Sequence, residues 1–509
     1  MDIAIIGGGA AGLAVGIFAA RRLAGAAGGL PAAGGARASV EVAPAEGTDT
    51  PSRCRGESAA KSQPSDGSES PVDPPAGRAS IVILDGARKL GAKILVAGGA
   101  RCNVTNKAVT PADFCGGSRN VVKRILAAFP ESAAVEFFRE IGVALHEEEH
   151  GKLFPDTHSA RTVLHALLAE AERLGVGILA DHRVTAIERR DDGFCLATSH
   201  GPLLARRVVL ATGGMSLPKT GSDGFGYRLA VGLGHTLVPT TPGLDPLLLA
   251  GGFHVPLSGI AQEVELTIEP VDARPVRSLT LDTAARSKGQ AVAALKGELT
   301  GKGVGANPVR VRGAMLWTHF GVSGPAVLDV SRHWHRSRLE GRQVAVFANF
   351  LPGDDFASAE RKLLDLAGLR PTAQLHNALS SLLPARVAGA LLAELGLDGS
   401  LPMAHLPREQ RRKLVHALTA WPLPVTGGRG YGFAEVTAGG VPLSEIDPAT
   451  MASRKCPGLY LVGEILDVDG RIGGFNFQWA WSSGFVAAVG LAAALTRDPS
   501  PPDPSLRSG

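Results

Sequence analysis

The chain has 509 residues, 45% hydrophobic and 20% charged, with a net charge of +4. That length allows two or three domains of about 100–200 residues each, and the composition is that of a soluble globular protein. Gly is heavily used, at 65 residues, and the mild basic balance permits contact with RNA without arguing for it.

Five cysteines, Cys54, Cys102, Cys115, Cys195 and Cys456, form no close pair. Their odd number and irregular spacing argue against a disulfide framework, and a reducing cytoplasm is the expected location. Residues 1–20 are apolar, but Asp2 stands where a signal peptide needs basic residues, and Gly7, Gly8, Gly9 and Gly12 crowd the middle. No stretch reads as a membrane span, and the apolar run 485–495 is too short for one.

In chain order, residues 2–6 read as a short buried strand and 10–22 as a helix. From about 24 to 77 the chain is rich in Gly, Ala, Pro and Ser without periodicity, which reads as a disordered insert. Order resumes with the β-branched run ASIVILDG, a strand ending at Asp85. Helical patterns follow at 119–141 and 158–175, and strand-like runs at 183–189, 193–198 and 207–211. Residues 245–345 alternate short β-like runs with Gly and Pro, and 356–420 carry Leu and Ala at helical spacing. The strand GLYLVG precedes a loop and an apolar helix from about 477, and the tail RDPSPPDPSLRSG reads as disordered.

Gly7, Gly9 and Gly12 form G-x-G-x-x-G after a strand and at the opening of a helix. The first Gly permits a tight turn. The second lets the backbone approach a pyrophosphate, and the third packs helix on strand. The phosphate then sits on the free N–H groups of the helix N-terminus. The fingerprint also requires an acidic residue after the second strand, normally about 20 residues on. Asp85 is that residue if 24–77 is an insert, which a surface loop tolerates at small entropic cost. A plain strand-end turn is the other reading of Asp85.

Four further blocks extend the pattern: GARKLGAKILVAGGARCNVTN after Asp85, ATGGMSLPKTGSDGFGYRLAVGLGH at 211–235, LWTHFGVSGPAVL at 316–328, and the segment 437–484. In this order they closely resemble the HI0933-like (YhiN-like, BaiN-type) family of bacterial NAD(P)/FAD-dependent oxidoreductases. The likeness spans nearly the whole chain apart from the insert. Two departures are visible: Ala100 stands where the family commonly has a third Gly, and Asp85 where it has Glu. The resemblance implies an α/β fold. A discontinuous Rossmann-like FAD-binding domain would carry an inserted β-rich domain and a small helical domain. On this chain the expected divisions are 1–240, 241–350, 351–422 and 423–496, with 497–509 as a tail.

The resemblance also assigns cofactor contacts. Ala11 joins Gly7, Gly9 and Gly12 at the pyrophosphate, with Asp85 at the ribose. Val184 would meet adenine through its backbone, where the residues alone read as a plain edge strand. Thr212, Gly213 and Gly214 form a small-residue turn that would pass close to the cofactor, with an ordinary strand-to-loop turn as the other reading. Gly98, Gly99, Arg101, Cys102 and Asn103 form a loop along it, with Lys93 as a nearby cation or a solvated surface lysine. Arg can pair with phosphate and Asn can serve a ring edge. No second thiol neighbours Cys102, so packing or cofactor lining is the expected role. Gly463 and Glu464 end a strand, with Glu464 near the ribityl or phosphate region. Gly473, Gly474 and Asn476 open a helix aimed at the flavin, where its positive end would stabilise reduced-ring charge.

His146 to His150 spell H-E-x-x-H, but Gly151 and Pro155 follow and the context is a strand or turn, so no metal is expected. His319 is the one catalytic candidate, with a hydrogen-bonded structural histidine as the alternative.

FAD carries the hard chemistry in such a protein. The expected reaction is NAD(P)H-driven reduction of an activated C=C bond in a small molecule or an rRNA uridine, with NAD(P)H docking transiently. The alternatives are an FAD-dependent amine oxidase producing peroxide and a non-catalytic flavin- or RNA-binding protein.

Overall fold

A computed structural model of the chain describes residues 1–26, 79–271 and 308–497. Most of the 24–77 insert, with Cys54, lies outside the described residues, as does the tail beyond Arg497.

Five parallel strands form the central sheet, in the order Leu459–Leu461, Arg207–Leu210, Ile3–Ile6, Ile81–Leu84 and Gly177–Leu179. All four residues of Ile3–Ile6 are buried. A parallel strand covered on both faces needs such an unbroken apolar run. One edge strand comes from the far end of the chain, so the sheet is assembled from both ends of the sequence.

The first helix, Ala10–Ala26, packs against the last, Phe475–Arg497. The first runs past the expected end at residue 22, because Leu-Ala-Gly-Ala is still helix-compatible. The last is long and apolar enough to cross a membrane, yet 67% of its apolar window is buried inside the protein. Trp479 and Trp481 on it are each 1% exposed, as befits a core helix. The helical pattern at 119–141 is two helices, Arg119–Ala128 and Glu131–Glu140. Pro130 between them lacks an N–H and clashes with the preceding turn, so it starts a new helix instead of continuing the old one.

A seven-stranded antiparallel sheet takes its strands from 247–428. Within the region read as β-rich lies a helix, Pro325–Leu339. Pro325 occupies its first turn, where a missing N–H costs nothing, and Ala326, Val327, Val330 and Trp334 face the core at helical spacing. Phe356–Leu369, Leu375–Leu379, Ala385–Leu395 and Arg408–Thr419 are helical as expected. They share one hydrophobic core with the seven-stranded sheet, separate from the core around the parallel sheet. Arg332 ties the two halves together. Its buried guanidinium donates to the Asp469 and Gly470 carbonyls at 2.8 and 2.7 Å and pairs with the Asp469 carboxylate at 2.5 Å.

Candidate functional site

The carboxyl ends of the parallel strands open into a cavity of about 1060 Å³. This is where an open α/β sheet presents its ligand crevice, and the volume lies just above the roughly 300–1,000 Å³ usual for ligand sites.

The glycine loop builds one wall. Gly7 has φ +109, and a Cβ there would lie 2.4 Å from the Ala211 carbonyl. A Cβ on Gly12 would lie 1.9 Å from the Gly7 carbonyl, so the helix can start this close only on glycine. Gly9 differs: a Cβ there would meet no protein atom, because the position looks into the cavity. The first helical turn carries no acidic side chain to compete for an anion, and its N–H groups have no intrahelical acceptors. Asp85 closes the loop, its two oxygens accepting from the Gly8 and Ala87 amides at 2.7 and 2.8 Å.

A second wall is the turn that breaks the helical span Ala92–Ala100 from Ala97 onward. Gly98, Gly99 and Ala100 have φ of 57, 68 and 66, and Cys102 has 62. Four left-handed residues within five positions reverse the chain sharply, and the two non-glycines pay a steric penalty for it. Arg101 is anchored 2.6 Å from Glu148 and lies over the Phe154 ring at 4.2 Å. Asn103 has its amide oriented by its neighbours. The nitrogen donates to the Thr105 and Leu153 carbonyls at 2.8 and 3.2 Å, and the oxygen accepts from the Gly474 amide at 3.0 Å. Asn476 likewise closes its own turn on both polar groups of Gly470, at 2.8 and 2.9 Å. Their side chains therefore set the loops that face the cavity.

The third wall centres on Glu464. Its carboxylate receives Lys93 Nζ at 2.6 Å, Ser216 Oγ at 2.9 Å and the Thr437 amide at 2.8 Å. Lys93 also donates to Ser216 at 2.7 Å, so it is a fixed, paired cation and not a solvated one. Trp479 Nε1 donates to the Gly463 carbonyl at 3.1 Å, and the Gly463 amide donates to Ser483 at 3.1 Å. The last helix thus holds this strand end in place.

Seventeen of the twenty cofactor residues expected from sequence line this one cavity. The exceptions are Gly12, Cys102 and Gly214. Gly12 and Gly214 are packing positions, the latter because a Cβ would lie 2.4 Å from Thr437 Oγ1. Cys102 is fully buried, and burial pushes its thiol up to about 12. His319 sits exposed in the hairpin turn between Val309–Thr318 and Gly321–Ser323, against the Phe320 ring and outside the cavity lining.

Sequence reasoning missed Ser216, Thr437, Lys152, Arg471 and Glu435. Ser216 and Thr437 bond to Glu464 directly, and the other three line the cavity. The block from 437 onward begins two residues after Glu435, so the signal lay one step upstream. His146 lies on a strand and His150 in the following turn at φ 63, so the H-E-x-x-H letters do not share a helix face. The structure instead brings His146, Glu148 and His158 within 4.8 Å of one another. The Arg101 guanidinium already occupies Glu148 there, which disfavours a second cation.

The lining suits FAD. Thr212 lines the cavity with its hydroxyl turned to the Gly226 backbone, where a Cβ would lie 1.8 Å from Thr212 Oγ1. The open approach at Gly9 and the acid-free helix start suit a pyrophosphate.

Comparison with known proteins agrees. The family model of the HI0933-like protein Rossmann domain matches residues 75–490. The ribosomal RNA dihydrouridine synthase of Escherichia coli is 34% identical over 419 residues, covering 82% of this chain and 93% of that protein. The protein of the same name from Haemophilus influenzae is 31% identical, covering 81% and 92%. The 3-dehydro-bile acid Δ(4,6)-reductase of Clostridium scindens is 31% identical, covering 82% and 93%. The chain belongs to the HI0933-like family of Rossmann-type, FAD-dependent oxidoreductases.

Proposed function

We propose that this protein uses FAD, reduced by transiently bound NAD(P)H, to saturate an activated carbon–carbon double bond, and that its substrate is a uridine of ribosomal RNA. On this reading it is a cytoplasmic enzyme. The observation that carries the reading is the relatives' shared chemistry. The two activities, dihydrouridine synthesis and Δ(4,6) reduction, both end in a saturated C=C bond.

Roles for the lining residues follow from chemistry. The Gly7–Gly12 loop and the helix behind it would take the pyrophosphate, with Asp85 at the ribose and Val184 at adenine. Lys93, Glu464 and Thr212 would hold the middle of the cofactor. The turns at Gly98–Asn103 and Gly473–Asn476 would face the flavin ring. Bound FAD supplies the hydride chemistry, and the protein supplies position, charge and protons.

Two features favour RNA over a small sterol acid. Lys89, Lys152 and Lys219 line the cavity and form no ion pair among the described residues, leaving three cations for phosphate. Phe433 also lines the cavity, is 50% exposed, and stacks on the Arg429 guanidinium at 3.4 Å. Exposed aromatic and guanidinium planes are what unstacked RNA bases pack against.

The test is an anaerobic titration of the FAD-loaded protein with NADPH, then NADH, followed by unmodified ribosomal RNA. Bleaching by the nucleotide, reoxidation by RNA and a uridine that gains two hydrogens are expected. Reoxidation only by oxygen with peroxide release, or by a sterol acid and not RNA, would sink the RNA assignment.

A further inference from the structure

Four carboxyl side chains line the cavity: Asp85, Asp223, Glu435 and Glu464. Three are fully engaged. Asp85 holds two backbone amides, and Glu464 holds Lys93, Ser216 and Thr437, as described above. Asp223 accepts from Arg183 at 2.6 Å and from the Phe225 amide at 3.0 Å. The Glu435 carboxyl alone receives no hydrogen bond and no ion pair among the described residues.

Its position is nevertheless rigid. The Glu435 amide donates to the Leu244 carbonyl at 3.2 Å, and its own carbonyl accepts from Ser216 Oγ at 3.1 Å. Ala434 and Val436 on either side are 0% and 5% exposed. Glu435 is exposed, and the space it is exposed to is the cavity, ringed by protein. That setting raises its carboxyl above the ordinary range. Burial is the main cause, and Asp329 adds to it, while the Lys93 and Lys152 ammoniums pull the other way. A carboxyl shifted in this direction holds its proton more firmly than an ordinary one, which is the direction a proton donor needs.

We propose that Glu435 is the proton donor of the reduction, a role that rests on the C=C reductase reading above. Saturating the bond takes one hydride, carrying both electrons from reduced flavin, and one proton. The Glu435 carboxyl gives that proton to the carbon adjacent to the one that accepts hydride. It is left as a carboxylate and takes a proton back from water. Its rivals in the cavity are less suited. Lys93 is committed to Glu464 and Ser216. His182 has its Nδ1 held at 2.9 Å by the Ala180 carbonyl, beside Val184.

The test uses the FAD-loaded full chain, with Glu435→Gln and Glu435→Asp. Infrared difference spectra between about pH 5 and pH 9 read the carboxyl without any substrate. A protonated C=O band that titrates in the wild type and is missing from E435Q is expected. A wild type with no such band difference from E435Q overturns the proposal.

Anaerobic stopped flow then separates the two half-reactions. FAD content and flavin reduction by NAD(P)H should be unchanged in E435Q. Reoxidation by unmodified ribosomal RNA should slow by roughly 10²–10⁴-fold. The alkaline limb of the wild-type pH profile should vanish with it, and E435D should recover part of the rate. Wild-type reoxidation by E435Q, or loss of FAD from it, overturns the proposal. If RNA does not reoxidise even the wild type, the RNA reading fails instead. The same comparison is then run with a 3-oxo-Δ4,6 sterol acid, and the infrared band still decides whether Glu435 carries a proton.

Discussion

Lys93 and Glu464 stand 371 positions apart in the chain, and their charged atoms meet at 2.6 Å in the cavity wall. The pair joins the first turn of the helix Ala92–Ala100, which follows the second parallel strand, to the end of the last one. It therefore couples the N-terminal and C-terminal parts of the cofactor domain at the place where a ligand would sit.

The network is centred on the carboxylate, so its two ends are unequal. Glu464→Ala removes the carboxylate from Lys93 and the Thr437 amide at once, leaving Ser216 the Glu435 carbonyl, and should cost about 2–3 kcal/mol of stability. Lys93→Met leaves the carboxylate two donors and should cost about 1 kcal/mol. Urea melts of the FAD-free variants measure both, and fluorescence titration with FAD should show the weaker binding in E464A. Equal losses from the two variants would mean that Glu464 is not the hub.

Ala100 stands at φ 66, a left-handed conformation that favours glycine. A left-handed alanine costs roughly 1–2 kcal/mol. Ala100→Gly relieves this but gives back about 0.4–1 kcal/mol through a freer unfolded chain. A net gain of up to about 1 kcal/mol is expected, with flavin content unchanged. Gly99→Ala at φ 68 should lose stability by a similar margin. Thermal melts of both variants decide it, and a drop for Ala100→Gly would show that the turn is not strained.

What the sequence made legible was what lies close along the chain. The spacing of Gly7, Gly9 and Gly12 carries its own geometry, and the run Ile81–Leu84 announces a buried strand. Asp85 was identifiable because its loop partner follows from that geometry, even with residues 24–77 lying between in the sequence. Ser216, Thr437 and Glu435 carry no such local pattern. They matter only because distant segments converge on Glu464, and pairing across 248 positions, as for Ser216, leaves no periodicity to read. The helix Pro325–Leu339 was hidden for a different reason. Its Val, Ser, His and Trp content is weakly helical, and burial against the seven-stranded sheet supplies what propensity does not.

Cys102 lies in the turn beside the cavity but is fully buried, with its thiol pushed up to about 12. A thiol so far from ionising is a poor nucleophile. The native FAD-loaded protein should leave Cys102 unmodified by iodoacetamide at neutral pH, and unfolding should expose it. Cys102→Ala should reduce its flavin at the wild-type rate while losing about 1 kcal/mol of packing. Peptide mapping by mass spectrometry and stopped flow check the two halves. Rapid native alkylation, or a variant whose flavin no longer bleaches, would make Cys102 a redox thiol.

Asp467 gives the fold a dependence on pH. It is 9% exposed. Burial, with the Asp469 carboxylate adding to it, pushes its carboxyl up to about 6, against a smaller opposing pull from Arg336. An unfolded Asp titrates near about 3.9. Below that, both states hold the proton and the group adds nothing to the balance. Between about 4 and 6 the unfolded chain has released its proton and the folded one has not. Unfolding is therefore favoured increasingly as pH rises, and the loss is complete above about 6. Its size is of the order of 3 kcal/mol. Asp467→Asn cannot ionise in either state and should lack this contribution. The variant should match the wild type near pH 4 and exceed it by up to about 3 kcal/mol at neutral pH. Urea melts of both proteins across that range measure the difference. Curves that stay parallel from acid to neutral pH would show that Asp467 is ionised in the folded protein throughout.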